Sequence, residues 1–303
     1  MRTGVRLGVA FPQTLIGGTP SALESFARQV EARGFSHLVL YDHLLGADRS
    51  AWPDLVGPWR ADDEFHDVFV MLGFLAAMTS TIELSTQVLV LPQRQAGAVA
   101  RQAASAAQLS GNRLRLGVGV GWNPVEFQAL GANFTIRGRF IDEQLEVVSR
   151  LLTGEIVTFQ GRWHTLDRVA INPVPHLPIP IWVGGTVTET FERVARYGDG
   201  WITLYDRPGD VFDRRRARLG ASLEAVGRDP GTIGVDAWVS MGGGRPSDWR
   251  REVEGWVARG VTHLTLNTGF RSLHHQPIDS HEANGHIDAA LTYFDTVKDL
   301  LCG

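Results

Sequence analysis

Arg113-Leu114-Arg115-Leu116-Gly117-Val118-Gly119-Val120-Gly121-Trp122 and Ile181-Trp182-Val183-Gly184-Gly185-Thr186 each run from a short apolar stretch into a glycine cluster. They belong to a series of eight short apolar runs, each leading into a helix-like stretch. Eight strand–helix units are what a (β/α)8 TIM barrel of the α/β class needs. Glycine at the exit of a barrel strand lets backbone N–H groups approach a flat or anionic ligand.

Outward from these clusters, strands are expected at Val5–Ala10, Phe35–Tyr41, Ile82–Val90, Arg113–Val118, Ile181–Val183, Trp201–Leu204, Ile233–Ser240 and His263–Asn267. The first helix, Pro20–Arg33, repeats Leu23, Phe26, Ala27 and Val30 at helical spacing and stops at Gly34. Further helices are expected at Val68–Thr79, Gln95–Leu109, Arg139–Leu152 and Asn284–Leu301, with a short turn at Asn123–Leu130. Two insertions break the rhythm, one after the second strand and one after the fourth. Leu44–Asp67 carries Trp52, Pro53, Gly57, Pro58 and Trp59, and Gly154–Pro178 carries the hairpin-like Phe159-Gln160-Gly161-Arg162-Trp163. A loop as long as the first is either functional or a packed insertion held by aromatic anchors. No linker or composition shift divides the chain, so residues 1–303 read as one domain. The rival architecture is an open doubly wound sheet; a closed barrel has the advantage of removing both sheet edges.

Composition sets the outer bounds. Of 303 residues, 44% are hydrophobic and 20% charged, an ordinary globular balance. The net charge of −4 argues against a nucleic-acid or membrane-surface partner. No run reaches the ~20 apolar residues of a membrane helix. The lone cysteine, Cys302, permits no internal disulfide, and Met1–Val9 reads as a strand start rather than a signal peptide. The expectation is a soluble cytoplasmic protein.

Three motifs invite chemistry. Gly117-x-Gly119-x-Gly121 falls short of G-x-G-x-x-G, since neither Trp122 nor Pro124 supplies the missing glycine, and it lies on the fourth strand rather than the first. It either cradles a ligand or eases a crowded strand end. Gly184-Gly185-Thr186, where a strand gives way to a helix, is either an anion site of free N–H groups and a hydroxyl or a tight turn with Thr186 or Thr188 as cap. Tyr41-Asp42-His43 closes the second strand, at the end that faces a barrel's active-site mouth. There His43 could move a proton with Asp42 orienting it, or the two could form a plain surface pair. Phe11, Trp52, Trp122 and Trp182 are candidates to wall such a mouth against water, though each could equally be core.

Taken together the chain resembles the luciferase-like monooxygenase superfamily, and most closely its branch of oxidoreductases that use coenzyme F-420, an 8-hydroxy-5-deazaflavin. The resemblance runs through Ala27–Phe35 with Tyr41-Asp42-His43, Leu75–Thr79 with Leu84–Val90, and Ala103–Glu126. It continues through Arg137-Gly138-Arg139 with Asp142-Glu143, Pro180–Thr186 and Arg196–Trp201, and is thin beyond residue 210. It implies a bacterial-luciferase-like barrel whose mouth holds the deazaflavin ring, with His43 beside Asp42 as the proton-handling group. It places a non-proline cis peptide at Gln87–Val88 behind the ring. Gly119 and Gly121 would let the cofactor tail lie along backbone, Trp122 would border it, and Gly184-Gly185-Thr186 would contribute to the phosphate or ring pocket. The sugar-phosphate dehydrogenase branch has an acidic residue at the position of Trp122 and asparagine at that of Val125. Neither is kept here, so that substrate does not carry over. The expected reaction is hydride transfer between cofactor carbon C5 and a small organic substrate. The alternatives are an FMN-dependent monooxygenase with a partner reductase and a flavin-binding barrel without turnover. The resemblance also implies a homodimer.

His274, His275, His281 and His286 follow the last strand in a short loop without metal-site spacing, so no metal is expected; the loop either contacts substrate or cofactor tail at the mouth or is solvated. The run Asp213-Arg214-Arg215-Arg216-x-Arg218 reads as a solvated helix face or an attraction for the cofactor's acidic tail.

Overall fold

Parallel pairing joins the apolar runs into a closed ring, in a computed structural model that describes residues 4–242, 244–269 and 277–301. In chain order the first elements are β1 (Arg6–Ala10), α1 (Pro20–Arg33), β2 (His37–Leu40), α2 (Val68–Met78), β3 (Glu83–Thr86), β4 (Leu89–Val90), α3 (Ala96–Leu109), β5 (Leu114–Gly119), α4 (Pro124–Ala129) and α5 (Arg137–Leu151). Then come β6 (Val157–Gln160), β7 (Thr165–Val169), β8 (Ile181–Gly184), α6 (Thr188–Tyr197), β9 (Gly200–Ile202), α7 (Asp210–Glu224), β10 (Gly234–Ser240), α8 (Pro246–Ala258), β11 (His263–Asn267) and α9 (Ala283–Leu301). The ring runs β3-β2-β1-β11-β10-β9-β8-β5, and the β3–β5 pairing at Leu84↔Leu114 closes it. The chain is thus a (β/α)8 barrel, not an open sheet.

The helices wrap the ring because each has one apolar face. On α1 the buried residues are Leu23, Phe26, Ala27 and Val30, and Gly34 ends the helix at φ 99°. Burying each large side chain of this kind contributes roughly 1.5–3 kcal/mol. Asp67, the last residue of the first insertion, caps α2 by accepting from the N–H groups of Phe69 and Val70. The second insertion is an antiparallel hairpin of β6 and β7. Glu143 of α5 ties down its tip by accepting from the N–H groups of Arg162, Trp163 and His164.

Two local expectations change. Ile82–Val90 is not one strand, because a cis peptide at Gln87–Val88 separates β3 from β4. Asn123–Leu130 is not only a turn: Pro124 fits the first helical position and Asn123 Oδ1 accepts from Val125 and Glu126 N–H, starting the short helix α4.

The lower barrel interior is polar. Asp236 lies at the centre of a network, 3.1 Å from Arg115 Nη1 and 3.6 Å from His37 Nε2, while Arg115 Nε lies 2.8 Å from Glu83. Burial pushes Asp236 above its ordinary value despite Arg115, and pushes His37 and His263 down. The Trp182 indole belongs to this layer. Its ring meets His263 at 4.8 Å and the Arg115 guanidinium at 4.4 Å, and Gly200 and Gly234 make room for it at the starts of their strands. Trp182 is therefore not at the mouth. Phe11 is not there either, being fully buried edge-on against Phe26, while Trp52 is half exposed on the insertion and outside the cavity.

Candidate active site

At the C-terminal ends of the strands lies an open cavity of about 210 Å³. Tyr41, Asp42 and His43 enter it from the end of β2, Gln87 and Val88 from the break in the third barrel strand, and Gly119 to Trp122 from β5. Gly184 and Gly185 follow β8, and Leu204, Tyr205 and Trp238 complete the far wall. Pro58 and Trp59 reach in from the first insertion. Of the aromatic residues expected at the mouth, only Trp122 borders this space.

His43 is held by a carboxylate other than the expected one. Its Nδ1 lies 2.9 Å from Oε2 of Glu126, the third residue of α4. Oε1 of Glu126 accepts from the N–H groups of Leu44 at 2.7 Å and Leu45 at 3.2 Å. Burial pushes the Glu126 carboxyl up, but the His43 hydrogen bond and charge with these two amides leave it below its ordinary value. A carboxylate at Nδ1 fixes the proton on that nitrogen and leaves Nε2 as the ring nitrogen available to the cavity. The histidine ring is collared by Trp59, Phe65 and Trp122, with centroids 5.6, 5.7 and 5.7 Å away.

Asp42 turns instead to Arg94. Its Oδ1 lies 2.6 Å from Nη2, and its Oδ2 accepts from Nε at 3.2 Å and from Val90 N–H at 2.9 Å. Asp67 also binds Arg94 Nη2, at 3.2 Å. Burial raises the Asp42 carboxyl from its ordinary value, and Arg94 works against that rise. Asp42 therefore ties the end of β2 to the end of β4 and does not orient His43. The adjacency of the two residues in sequence suggested a partnership that the strand geometry divides.

The cis peptide shapes the floor. Gln87 sends its side chain into the barrel, donating from Nε2 to Asp236 at 2.5 Å and accepting from Trp238 Nε1 at 2.5 Å. Both ends of this amide are spent within the protein, so Gln87 borders the cavity without offering it that amide. Val88 occupies the space that side chains on two glycines would need. A Cβ on Gly119 would lie 2.4 Å from Val88 Cγ2, and one on Gly184 would lie 2.6 Å from Val88 Cγ1. A Cβ on Gly121, at φ 75°, would meet Val90 at 2.5 Å. The glycines are thus required first by neighbouring protein atoms. Gly185, at φ 138°, accepts from Trp201 Nε1 through its carbonyl. Thr186 lies outside the main cavity, in an adjoining cleft with Arg207 and Arg215 that shares Tyr205 as its border.

No group of three metal-ligating side chains occurs among the described residues, and none of their helices is long and apolar enough to cross a membrane. His286 is not part of a loop: it is buried in α9, beside Thr268 Oγ1 and the Ser280 carbonyl. His274, His275 and Cys302 lie outside the described residues. In the basic run, Asp213 pairs with Arg259, and Arg215 with Asp206.

A histidine–carboxylate pair thus stands above a bulged third strand at the mouth of a parallel barrel. The sequence profile of the luciferase-like monooxygenase family matches residues 1–279, and the chain belongs to that family. An uncharacterised protein of Mycobacterium tuberculosis (strain ATCC 25618 / H37Rv) is 35% identical over 210 residues, 67% of this chain and 71% of that protein. The F-420-dependent glucose-6-phosphate dehydrogenase of Kineococcus radiotolerans is 31% identical over 220 residues, 71% of this chain and 61% of its own length. The solved structure of an F-420-dependent secondary alcohol dehydrogenase with an F-420–acetone adduct superposes with a TM-score of 0.79. It covers 97% of this chain and 99% of that one at 16% identity, a likeness of fold.

Proposed function

We propose that this protein is an oxidoreductase that binds coenzyme F-420 in the barrel mouth and uses His43 to move the proton that accompanies hydride transfer. The observation that carries the reading is the His43–Glu126 pair, which presents an imidazole Nε2 to an apolar cavity beside the Val88 bulge. The residues fit a deazaflavin. Val88 backs a flat surface, Trp122 and Trp238 wall it, and an adjoining cleft carries Thr186 and Arg207 beside the Arg215–Asp206 pair. When bound, the cofactor supplies at C5 the carbon that accepts or gives up hydride. The chain's own part is to hold the ring, exclude water, and take or return a proton at His43 Nε2. The F-420-dependent relatives within the same family support this cofactor over FMN.

Equilibrium titration of purified protein with F-420 and, separately, with FMN, followed by absorbance, tests the assignment. Saturable binding of F-420 with a weaker response to FMN is expected. Tight FMN binding with none of F-420 would replace this reading by the flavin monooxygenase one.

A further inference from the structure

We infer that the aromatic collar set by Trp59 makes this site select an uncharged, ring-bearing alcohol or ketone and reject substrates that carry a carboxylate or phosphate near the reacting carbon. The inference rests on the proposed hydride chemistry for its hydroxyl or carbonyl, but its argument comes from the walls. Trp59 of the first insertion has its ring 5.6 Å from both Tyr41 and His43, and Phe65 packs edge-on behind it at 4.9 Å. Trp238 continues the same wall, 5.7 Å from Tyr41 and 5.9 Å from Tyr205. These rings offer faces of negative electrostatic potential, which favour stacking with an apolar ring and disfavour an anion.

The formal charges at the site point the same way. Asp42 and Glu126 are carboxylates, buried at the pocket wall and just behind His43. Arg94 is the cation paired with Asp42, and its Nε and Nη2 are already engaged by Asp42 and Asp67. An anionic substrate placed against His43 would lose water, meet two carboxylates and find Arg94 already committed. Desolvating an unpaired charge costs several kcal/mol, enough for discrimination of a hundredfold or more.

The insertion is built to hold the collar in place. Arg49 Nη2 donates to the carbonyls of Gly57 and Trp59, at 2.5 and 3.4 Å. Gly57 lies against the Trp122 indole, where a Cβ would come within 2.1 Å of the ring. Trp59 and Trp122 therefore face the histidine as one braced unit. Oxidation of a substrate alcohol breaks its carbinol C–H bond, with both electrons leaving as hydride to cofactor C5. The hydroxyl proton goes to His43 Nε2 and a carbonyl forms; ketone reduction runs the same exchange backwards.

The test uses a matched pair, 1-phenylethanol and mandelate, which differ by a carboxylate in place of the methyl group on the carbinol carbon. Affinities are measured calorimetrically on F-420-loaded protein, with turnover as a second readout. Binding of the neutral alcohol at least ~100-fold tighter is expected, with Trp59→Arg narrowing the gap to under ~10-fold by adding a cation to the wall. Equal affinities, a preference for mandelate, failure of both to bind, or an unchanged ratio in Trp59→Arg would overturn the inference. The cofactor titration is done first. Its failure refutes the F-420 reading alone, and the pair measured on the free protein then decides the selectivity.

Discussion

Replacing Glu126 by glutamine keeps the side chain's shape and exchanges one carboxylate oxygen for an amide NH2. In the native site Oε2 lies 2.9 Å from His43 Nδ1, while Oε1 accepts from the Leu44 and Leu45 amides. A glutamine that keeps its carbonyl on those amides turns its NH2 towards Nδ1. Nδ1 must then accept, the ring proton moves to Nε2, and the nitrogen available to the cavity can no longer take a proton. In a serine protease the same exchange behind the catalytic histidine lowers turnover by about 10⁴. A loss of ~10²–10⁴ is expected here, about 2.7–5.5 kcal/mol at 1.36 kcal/mol per tenfold. Turnover is measured at saturating F-420, and cofactor affinity is measured alongside and should stay within about tenfold. Nitrogen NMR of His43 reports the tautomer directly. Native turnover with the ring proton moved to Nε2, or lost turnover with the native tautomer kept, would refute the reasoning.

Two further outcomes follow from the same geometry. The Glu126 carboxyl is held below its ordinary 4.5, so its contribution to stability is present above that pH and is lost as pH falls through the lower folded value. Thermal midpoints should therefore drop more steeply below pH 4.5 in the native protein than in Glu126→Gln, and parallel curves would contradict the assignment. Gly119→Ala puts a methyl 2.4 Å from Val88 Cγ2 and should weaken F-420 binding at least tenfold by moving Val88. Val88→Ala in the same chain should restore most of it; absence of rescue would show that Gly119 contacts the cofactor directly.

The barrel was legible because its strands are short apolar runs of regular spacing, and seven of the eight appear as single strands close to where the apolar pattern places them. The third strand is also where the pattern puts it, but its break was not legible, because nothing in the residue types of Gln87 and Val88 marks it; only the resemblance located it. Trp182 and Phe11 show a second limit. A large apolar side chain on a barrel strand can fill the floor or wall the mouth, and hydrophobicity does not distinguish the layers. His43 was found from its place at a strand end, whereas its partner Glu126 comes from 83 positions away. Asn123-Pro124-x-Glu126 does carry a signal, since a capping asparagine with an acidic residue three positions on announces a helix start just beyond a strand. What that signal lacks is direction: this glutamate turns away from its own helix to hold the histidine. The glycines are sites of close approach, and the approaching atoms belong to the same chain: valines at Gly119, Gly121 and Gly184, and Thr190 at Gly185.

Gln87 has a consequence for how this scaffold can change. Its amide rivets the bulge under Val88 to Asp236, deep in the ionic layer, and to Trp238 in the wall above. The part of the lining that the first insertion supplies, Pro58 and Trp59, belongs to a surface excursion with its own internal bracing. The bedplate is fixed to the barrel and the jaw is an attachment. Grafting a different segment between Leu45 and Asp67, which leaves the Leu44 and Leu45 amides on Glu126 and Asp67 on Arg94, should therefore retool what the enzyme grips without disturbing how it is mounted.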